Sequence, residues 1–167
     1  MAFSRSGDKD WNFSSALDQA LRLLCPRSLS TLELRRKLSQ RSVPSELIAE
    51  VEEKLIELSY LDDDELAEEA LRSYIEAEKY STYYIREKMR ERGLDVSCIL
   101  DDYDECSVAV NLLDQRFSIS DESLLEEIER GEAEKLNKKK IIYFLKNRGF
   151  AVSTIQSICH EWSPYLE

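Results

Sequence analysis

The chain has 167 residues, a formal net charge of −11 and 43% apolar residues. This length suits one domain or a short series of small modules, and the apolar content is sufficient for a hydrophobic core. Only four glycines and three prolines are present, so turns are scarce and an all-α chain is predicted. The glycine positions exclude the phosphate-binding motifs GxxxxGK[ST] and GxGxxG, and the acidic excess argues against an autonomous nucleic-acid-binding protein.

The four cysteines do not form a metal or redox motif. They lie at positions 25, 98, 106 and 159 without a CxxC pair, so we expect no structural zinc, no other metal and no cofactor. Cys25 and Cys159 are expected to pack as small apolar groups. The sequence has no charged start followed by an apolar segment and no membrane-spanning apolar run, so a cytoplasmic protein with reduced thiols is expected.

Helical periodicity begins at Trp11, after a polar and aperiodic stretch at 1–10 that we expect to be flexible. The first predicted helix starts there and is ended by Pro26, a second covers 30–41, a third opens at Pro44 and buries residues up to Leu58, and a fourth covers about 64–79. Three aspartates at 62–64 precede the last of these, and we interpret them as helix caps rather than metal ligands. No useful stretch alternates with the period of a β-strand.

A sequence repeat can be aligned without gaps. The matching segments are 30–48, 81–99 and 137–155. Gly93 and Gly149 hold the same position in the last two segments, each followed by an apolar residue, which is typical of a helix that ends in a left-handed glycine. Ser42 holds this position in the first segment, where a left-handed serine is expected to cost about 0.5–1 kcal/mol.

The repeat predicts three tandem three-helix units, which stack into an elongated, curved, solenoid-like all-α array because each unit alone leaves its apolar face uncovered. The predicted units are 11–61, 62–104 and 105–167. The third unit carries an acidic insertion at 121–134 before its repeated helix.

Charge follows the repeat. The matched windows 30–41, 81–92 and 137–148 hold 13 basic and 3 acidic residues, a net of +10, while the rest of the chain has a net of −21. These helices could simply have solvated cationic faces, or they could form a basic surface for phosphates or an acidic protein. The candidate binding residues, which point away from the apolar stripe, are Arg35, Arg36, Lys37, Arg86, Lys88, Arg90, Lys138, Lys139, Lys140 and Lys146.

Three arginines occupy equivalent positions at the ends of the repeated helices. Arg41, Arg92 and Arg148 lie at the edge of the buried stripe, where a cation satisfies the last carbonyls and the helix dipole. Together with Gly93 and Gly149, we interpret them as structural helix stops.

Several motifs resemble the RecX regulatory proteins of bacteria, and the resemblance covers about residues 14–163. The matching segments are Glu33–Leu38, Ser59–Asp63, Ile85–Met89 with Arg92–Leu94, and Phe144–Phe150. The resemblance implies an elongated array of three-helix repeats that binds the filament of the RecA recombinase and restrains filament growth, ATP hydrolysis and strand exchange, with no chemistry of its own. It implies a monomer that lies in the filament groove and could also contact single- or double-stranded DNA weakly.

Two other functions compete with a filament regulator. An autonomous DNA- or RNA-binding helical-repeat protein would use the same basic helices, and Tyr80, Tyr83 and Tyr84 could stack on bases, although we expect them to pack between repeats. An enzyme is disfavoured and no catalytic residue is assigned, because the adjacent Cys159 and His160 point about 100° apart on a helix.

Overall fold

The computed structural model describes residues 10–95, 100 and 103–167. In these ranges it contains α1 (Phe13–Leu24), α2 (Thr31–Ser39), α3 (Ser45–Glu57), α4 (Asp63–Ala77), α5 (Thr82–Arg92), α6 (Glu105–Phe117), α7 (Glu122–Arg130), α8 (Lys138–Lys146), α9 (Val152–Glu161) and a 3₁₀ helix (Ser163–Tyr165). The only β-type pairing found there is an isolated bridge between Leu136 and Leu166. The predicted all-α class is confirmed. None of the described helices is both long and apolar enough to cross a membrane.

The three repeated helices, α2, α5 and α8, begin at equivalent polar residues. The Ser30 hydroxyl accepts a hydrogen bond from the Glu33 N–H at 3.1 Å, and Ser81 does the same for a residue three positions on at 3.0 Å. In α8 the Asn137 side-chain oxygen accepts from the Lys140 N–H at 3.0 Å. Each cap satisfies one of the free N–H groups of the first turn, so the sequence repeat extends to the helix starts.

The repeated helices also end alike. The residue after the last turn is left-handed at Ser42 (φ 59°), Gly93 (φ 80°) and Gly149 (φ 80°). In the first and third copies the next residue donates back into the helix, Val43 N to the Leu38 carbonyl at 3.2 Å and Phe150 N to the carbonyl of residue 145 at 3.3 Å. These bonds define a Schellman stop, and the apolar residues that flank it are buried.

The described chain divides into two compact units. The first extends to Ala67 and includes the short segment Arg92–Leu94. Its core is formed mainly by α1, α2 and α3, and the fully buried members are Ala16, Ala20, Leu34, Leu38, Val51 and Leu55. The packing of three short amphipathic helices therefore creates a complete apolar core in this unit.

The second unit comprises Glu68–Glu91 and Asp95–Glu167. Its core collects buried residues from α6, the loop after it, α8, α9 and the C-terminal segment, among them Ala109, Leu113, Ile119, Ile141, Leu145 and Ile155. The division into three repeats remains a prediction. Residues 1–9 of the proposed flexible terminus and Cys98 and Ile99 of the second repeat lie outside the described residues.

The acidic insertion contains a helix of its own, α7, which gives the predicted third unit a fourth α-helix. Asp121 caps the start of α7, and the left-handed Gly131 (φ 75°) follows its end. Ile128 is buried, while the four glutamates of this helix are exposed.

The packing expectation for Cys25 is wrong. Cys25 is exposed, because it follows the last turn of α1 as the C-cap residue and lies off the buried face of that helix. Cys159 is buried as expected, and burial raises the pKa of its thiol.

Candidate binding surface on the repeated helices

All ten candidate binding residues lie on the three repeated helices. Most are exposed, and Lys37 and Lys88 are half-buried. The opposite side of each helix supplies two buried apolar residues to a core: Leu34 and Leu38, Ile85 and Met89, Ile141 and Leu145. The helical period thus separates the cations from the core, but the three helices differ in how their cations are partnered.

On α2, Arg35 is held by the fold. Its Nε and Nη2 donate to the two carboxylate oxygens of Glu52 at 3.0 and 2.6 Å, which is a bidentate pair between α2 and α3. Glu52 is only 5% exposed, whereas more than half of the Arg35 side chain is accessible. The hydrogen bonds that Arg35 donates to Glu52 raise the pKa of the guanidinium. Arg35 therefore neutralises a buried carboxylate, a role that requires tertiary packing and that the sequence pattern did not reveal.

On α5, two cations are paired along the helix. Lys88 Nζ lies 2.7 Å from a Glu91 oxygen, and Arg90 Nη2 lies 2.7 Å from a Glu87 oxygen. These hydrogen bonds raise the pKa of both basic groups. Arg86 forms no ion pair with a described residue. Much of the positive charge of α5 is therefore neutralised by glutamates of the same helix.

The cations of α8 are not compensated in this way. Lys138, Lys139, Lys140 and Lys146 are exposed, and none of them forms an ion pair with a described residue. The window 137–148 also contains no acidic residue. Tyr143 lies among these lysines with 69% of its surface exposed.

Two of the three helix-end arginines contact the ends of their own helices. Arg41 Nη1 donates to the Lys37 carbonyl at 2.8 Å, and Arg148 Nη1 donates to the Phe144 carbonyl at 3.2 Å. The guanidinium of Arg148 also lies 3.7 Å from the centre of the Phe144 ring. Both contacts place a cation at the negative end of a helix.

Arg92 belongs to a network at the start of α2. Its Nη2 lies 3.3 Å from Glu33, which also accepts from the Ser30 N–H at 3.1 Å and pairs with Arg27 at 3.1 Å. The Arg92 carbonyl accepts a hydrogen bond from the Ser30 hydroxyl. Burial alone would raise the pKa of Glu33, but the Ser30 N–H and the Arg92 guanidinium outweigh it and the pKa is lowered.

Both helix-stop glycines are also sites of close approach. A Cβ at Gly93 would lie 2.7 Å from Leu32, in the first turn of α2. A Cβ at Gly149 would lie 2.8 Å from the Ser81 Oγ and 2.9 Å from the Tyr84 Cβ, in the first turn of α5. The Ser81 N–H also donates to the Arg148 carbonyl at 3.1 Å. Gly93, which follows α5, thus contacts the first turn of α2, and Gly149, which follows α8, contacts the first turn of α5. These glycines are therefore required for space as well as for backbone conformation.

The tyrosines near α5 do not behave alike. Tyr80 and Tyr84 stack with ring centres 4.3 Å apart, and Tyr74 meets Tyr80 edge-on at 6.0 Å. The packing expectation is wrong for Tyr83, which is 65% exposed because it lies on the outer side of α5.

Two aspartates at the start of α4 bind backbone N–H groups in the first turns of α4 and α2. Asp62 accepts from the Glu65 N–H at 2.9 Å, and Asp63 accepts from the Thr31 N–H at 2.8 Å. Among the described residues, no three histidine, cysteine or acidic side chains are grouped as a metal site.

The fold and this surface define a class, an all-helical protein in which three helices of repeated sequence carry most of the exposed basic residues discussed above. No family model matches the chain. It is 33% identical over 153 residues to the regulatory protein RecX of Chlorobaculum tepidum, covering 86% of this chain and 85% of that protein. It is also 33% identical over 151 residues to the regulatory protein RecX of Pelodictyon phaeoclathratiforme, covering 89% of both. The chain belongs to the RecX family of regulatory proteins.

A solved structure supports the fold. The crystal structure of RecX from Lactobacillus salivarius superposes with a TM-score of 0.62 at 22% identity, over 90% of this chain and 96% of that one.

Proposed function

We propose that this protein regulates the RecA recombinase by binding the RecA nucleoprotein filament and restraining its extension, its ATP hydrolysis and strand exchange. The observation that carries the proposal is the match to RecX regulatory proteins over most of both chains. The protein acts by binding alone, as a monomer in the cytoplasm, and the exposed cations of the repeated helices provide its contacts.

Binding can regulate the filament only through a difference in affinity. A ligand changes the free energy of an assembly equilibrium only by the difference between its binding free energies for the two states. The protein must therefore bind the filament with a different affinity from free RecA monomers, and we propose that it binds the filament more tightly. Binding in the filament groove meets this requirement, since successive protomers are brought together only in the filament. We therefore propose groove binding, with the cations of α2, α5 and α8 facing acidic protein surface or phosphate.

The test is RecA-dependent ATP hydrolysis on single-stranded DNA with substoichiometric amounts of this protein. We expect the rate to fall as the protein is added, and unchanged hydrolysis at every ratio would remove the proposal. Preformed filaments without free monomer separate two mechanisms, because a protein that only blocks monomer addition leaves their hydrolysis rate unchanged whereas groove binding lowers it.

The surface is tested by reversing cations that the fold does not use. Lys37→Glu with Arg86→Glu is suitable because neither residue forms an ion pair with a described residue. The matched control is Arg72→Glu with Lys79→Glu, which changes net charge equally on an exposed part of the chain next to glutamates. We expect the first variant to inhibit less and the control to inhibit normally, with unchanged helicity in both. Arg35 is unsuitable, because its reversal would place a carboxylate against Glu52.

A further inference from the structure

The third repeated helix, α8, differs from α2 and α5 in how its basic side chains are paired. Arg35 of α2, like Lys88 and Arg90 of α5, forms an ion pair with a carboxylate of this chain. On α8, by contrast, four lysines form no ion pair with a described residue. Free positive charge is therefore concentrated on this helix rather than shared equally among the repeats.

The geometry of α8 groups these cations around an exposed aromatic ring. Lys139 is four residues before Tyr143 and Lys146 is three residues after it, so both lie on the same side of the helix as the ring. Lys140 lies next to them, and the two outer lysines are about 10 Å apart along the helix axis. The buried residues Ile141 and Leu145 occupy the opposite side. We call Lys139, Lys140, Tyr143 and Lys146 the α8 face.

We propose that the α8 face binds single-stranded nucleic acid directly, with a base stacked on Tyr143 and the phosphates on either side of it bound by the lysines. The proposal does not depend on the proposed function, since the binding it describes needs no recombinase. Aromatic rings set among cations are the usual arrangement for binding single strands without sequence preference, because every base has a face that can stack.

The exposed ring among the lysines favours a nucleic acid over an acidic protein surface, because a base can stack on it. Lysine is a compact charge on a flexible stem, so it can follow the phosphates of a strand without the fixed geometry that arginine imposes on carboxylates and phosphates alike. Every cation of the α8 face is a lysine, and the nearby Arg148 is engaged with Phe144. An exposed tyrosine can stack only on a base whose face is free, so a single strand fits better than an intact duplex.

The experiment is fluorescence anisotropy of labelled oligo(dT) and oligo(rU) with the full chain, without recombinase. Tyr143→Ala should weaken binding about 5- to 100-fold, while Tyr143→Phe, which keeps the ring, should bind nearly as the unsubstituted chain does. The matched control is Tyr60→Ala, because Tyr60 is similarly exposed at 59% but precedes the acidic residues 62–65. Oligo(dT) and oligo(rU) should bind alike, since nothing on the face reads the sugar.

Salt dependence tests the lysines. The slope of log affinity against log salt falls by about 0.7 for each phosphate of a single strand that is no longer neutralised, so Lys139→Gln with Lys146→Gln should reduce it by about 1.4. Arg72→Gln with Lys79→Gln removes the same charge elsewhere and should leave the slope unchanged. Circular dichroism checks that each variant keeps its helicity.

Three results would overturn the proposal: no binding by the unsubstituted chain, unchanged binding by Tyr143→Ala, or equal weakening in both cation pairs. If the α8 variants bind oligonucleotide normally but no longer inhibit RecA, the face contacts protein and this proposal fails while the regulatory one stands. If oligonucleotide binding behaves as expected but the chain leaves RecA hydrolysis unaffected, this proposal stands and the regulatory one fails.

Discussion

Ser42 is the position where a single substitution should stabilise the protein. It ends α2 in a left-handed conformation with φ of 59°, at the place where the other two repeated helices have glycines. A left-handed backbone costs an L-residue about 1–2 kcal/mol, whereas glycine lowers stability by about 0.4–1 kcal/mol through the freedom of the unfolded chain. The difference predicts that Ser42→Gly raises the free energy of unfolding by about 0.5–1 kcal/mol.

The assay is thermal unfolding followed by circular dichroism. For a chain of this size the increase corresponds to a rise of about 1–4 °C in the midpoint. Ser39→Gly provides a matched control, because Ser39 is also exposed but lies in the last turn of α2, where glycine is the poorer helix former. That control should lower the free energy of unfolding by about 0.5 kcal/mol.

A midpoint for Ser42→Gly that is unchanged or lower would refute the reasoning. It would mean that relief of the left-handed strain does not exceed the cost in the unfolded chain. The structural equivalence of the three helix stops would then not extend to their energetics.

Three further substitutions test the contacts that the repeated helices make with their neighbours. Gly149→Ala should lower the free energy of unfolding by about 2–3 kcal/mol, measured by urea titration, because its Cβ would be left-handed and would lie 2.8 Å from another side chain. Arg35→Ala should cost about 1–3 kcal/mol by leaving Glu52 buried and unpaired, and Glu52→Gln in the same chain should restore part of that stability. The lowered pKa of Glu33 means that its contribution is complete above its usual value of 4.5 and is lost as the pH falls through the folded value. The stability difference between the unsubstituted chain and Glu33→Gln should therefore shrink in acid, and a difference that stays constant from neutral to acid pH would exclude this role.

Features that depend on neighbours in sequence were predictable. The apolar period of α2, α5 and α8 identified their buried sides, and the aligned glycines identified two left-handed helix ends. Such features follow from backbone geometry within one or two turns, which a sequence specifies directly. The helix in the acidic insertion carried the same kind of signal, an Asp121 cap, a short apolar period and Gly131, and it was detectable on those grounds.

Features that depend on packing between helices were not predictable. Nothing in the sequence links Arg35 to Glu52, 17 positions away, because the pair exists only when α2 and α3 pack together. The same applies to the space at Gly149, which is taken by the first turn of α5. The position of Tyr143 among lysines was visible in the sequence, but its exposure was not. The binding role proposed for it also depends on knowing which neighbouring lysines lack carboxylate partners.

Net charge of a window is consequently a poor measure of the charge that a surface can offer. The three repeated windows hold a net of +10, yet much of it on α2 and α5 neutralises carboxylates of the same chain, including the buried Glu52. A cation that is already paired must give up that partner before it can bind another, and this cost offsets the new interaction. Because the lysines of α8 have no such partner among the described residues, they can bind an external phosphate without this cost. A chain with a formal net charge of −11 can for this reason still bind a polyanion at one helix, provided that its acidic residues lie outside that helix, as those of this chain do.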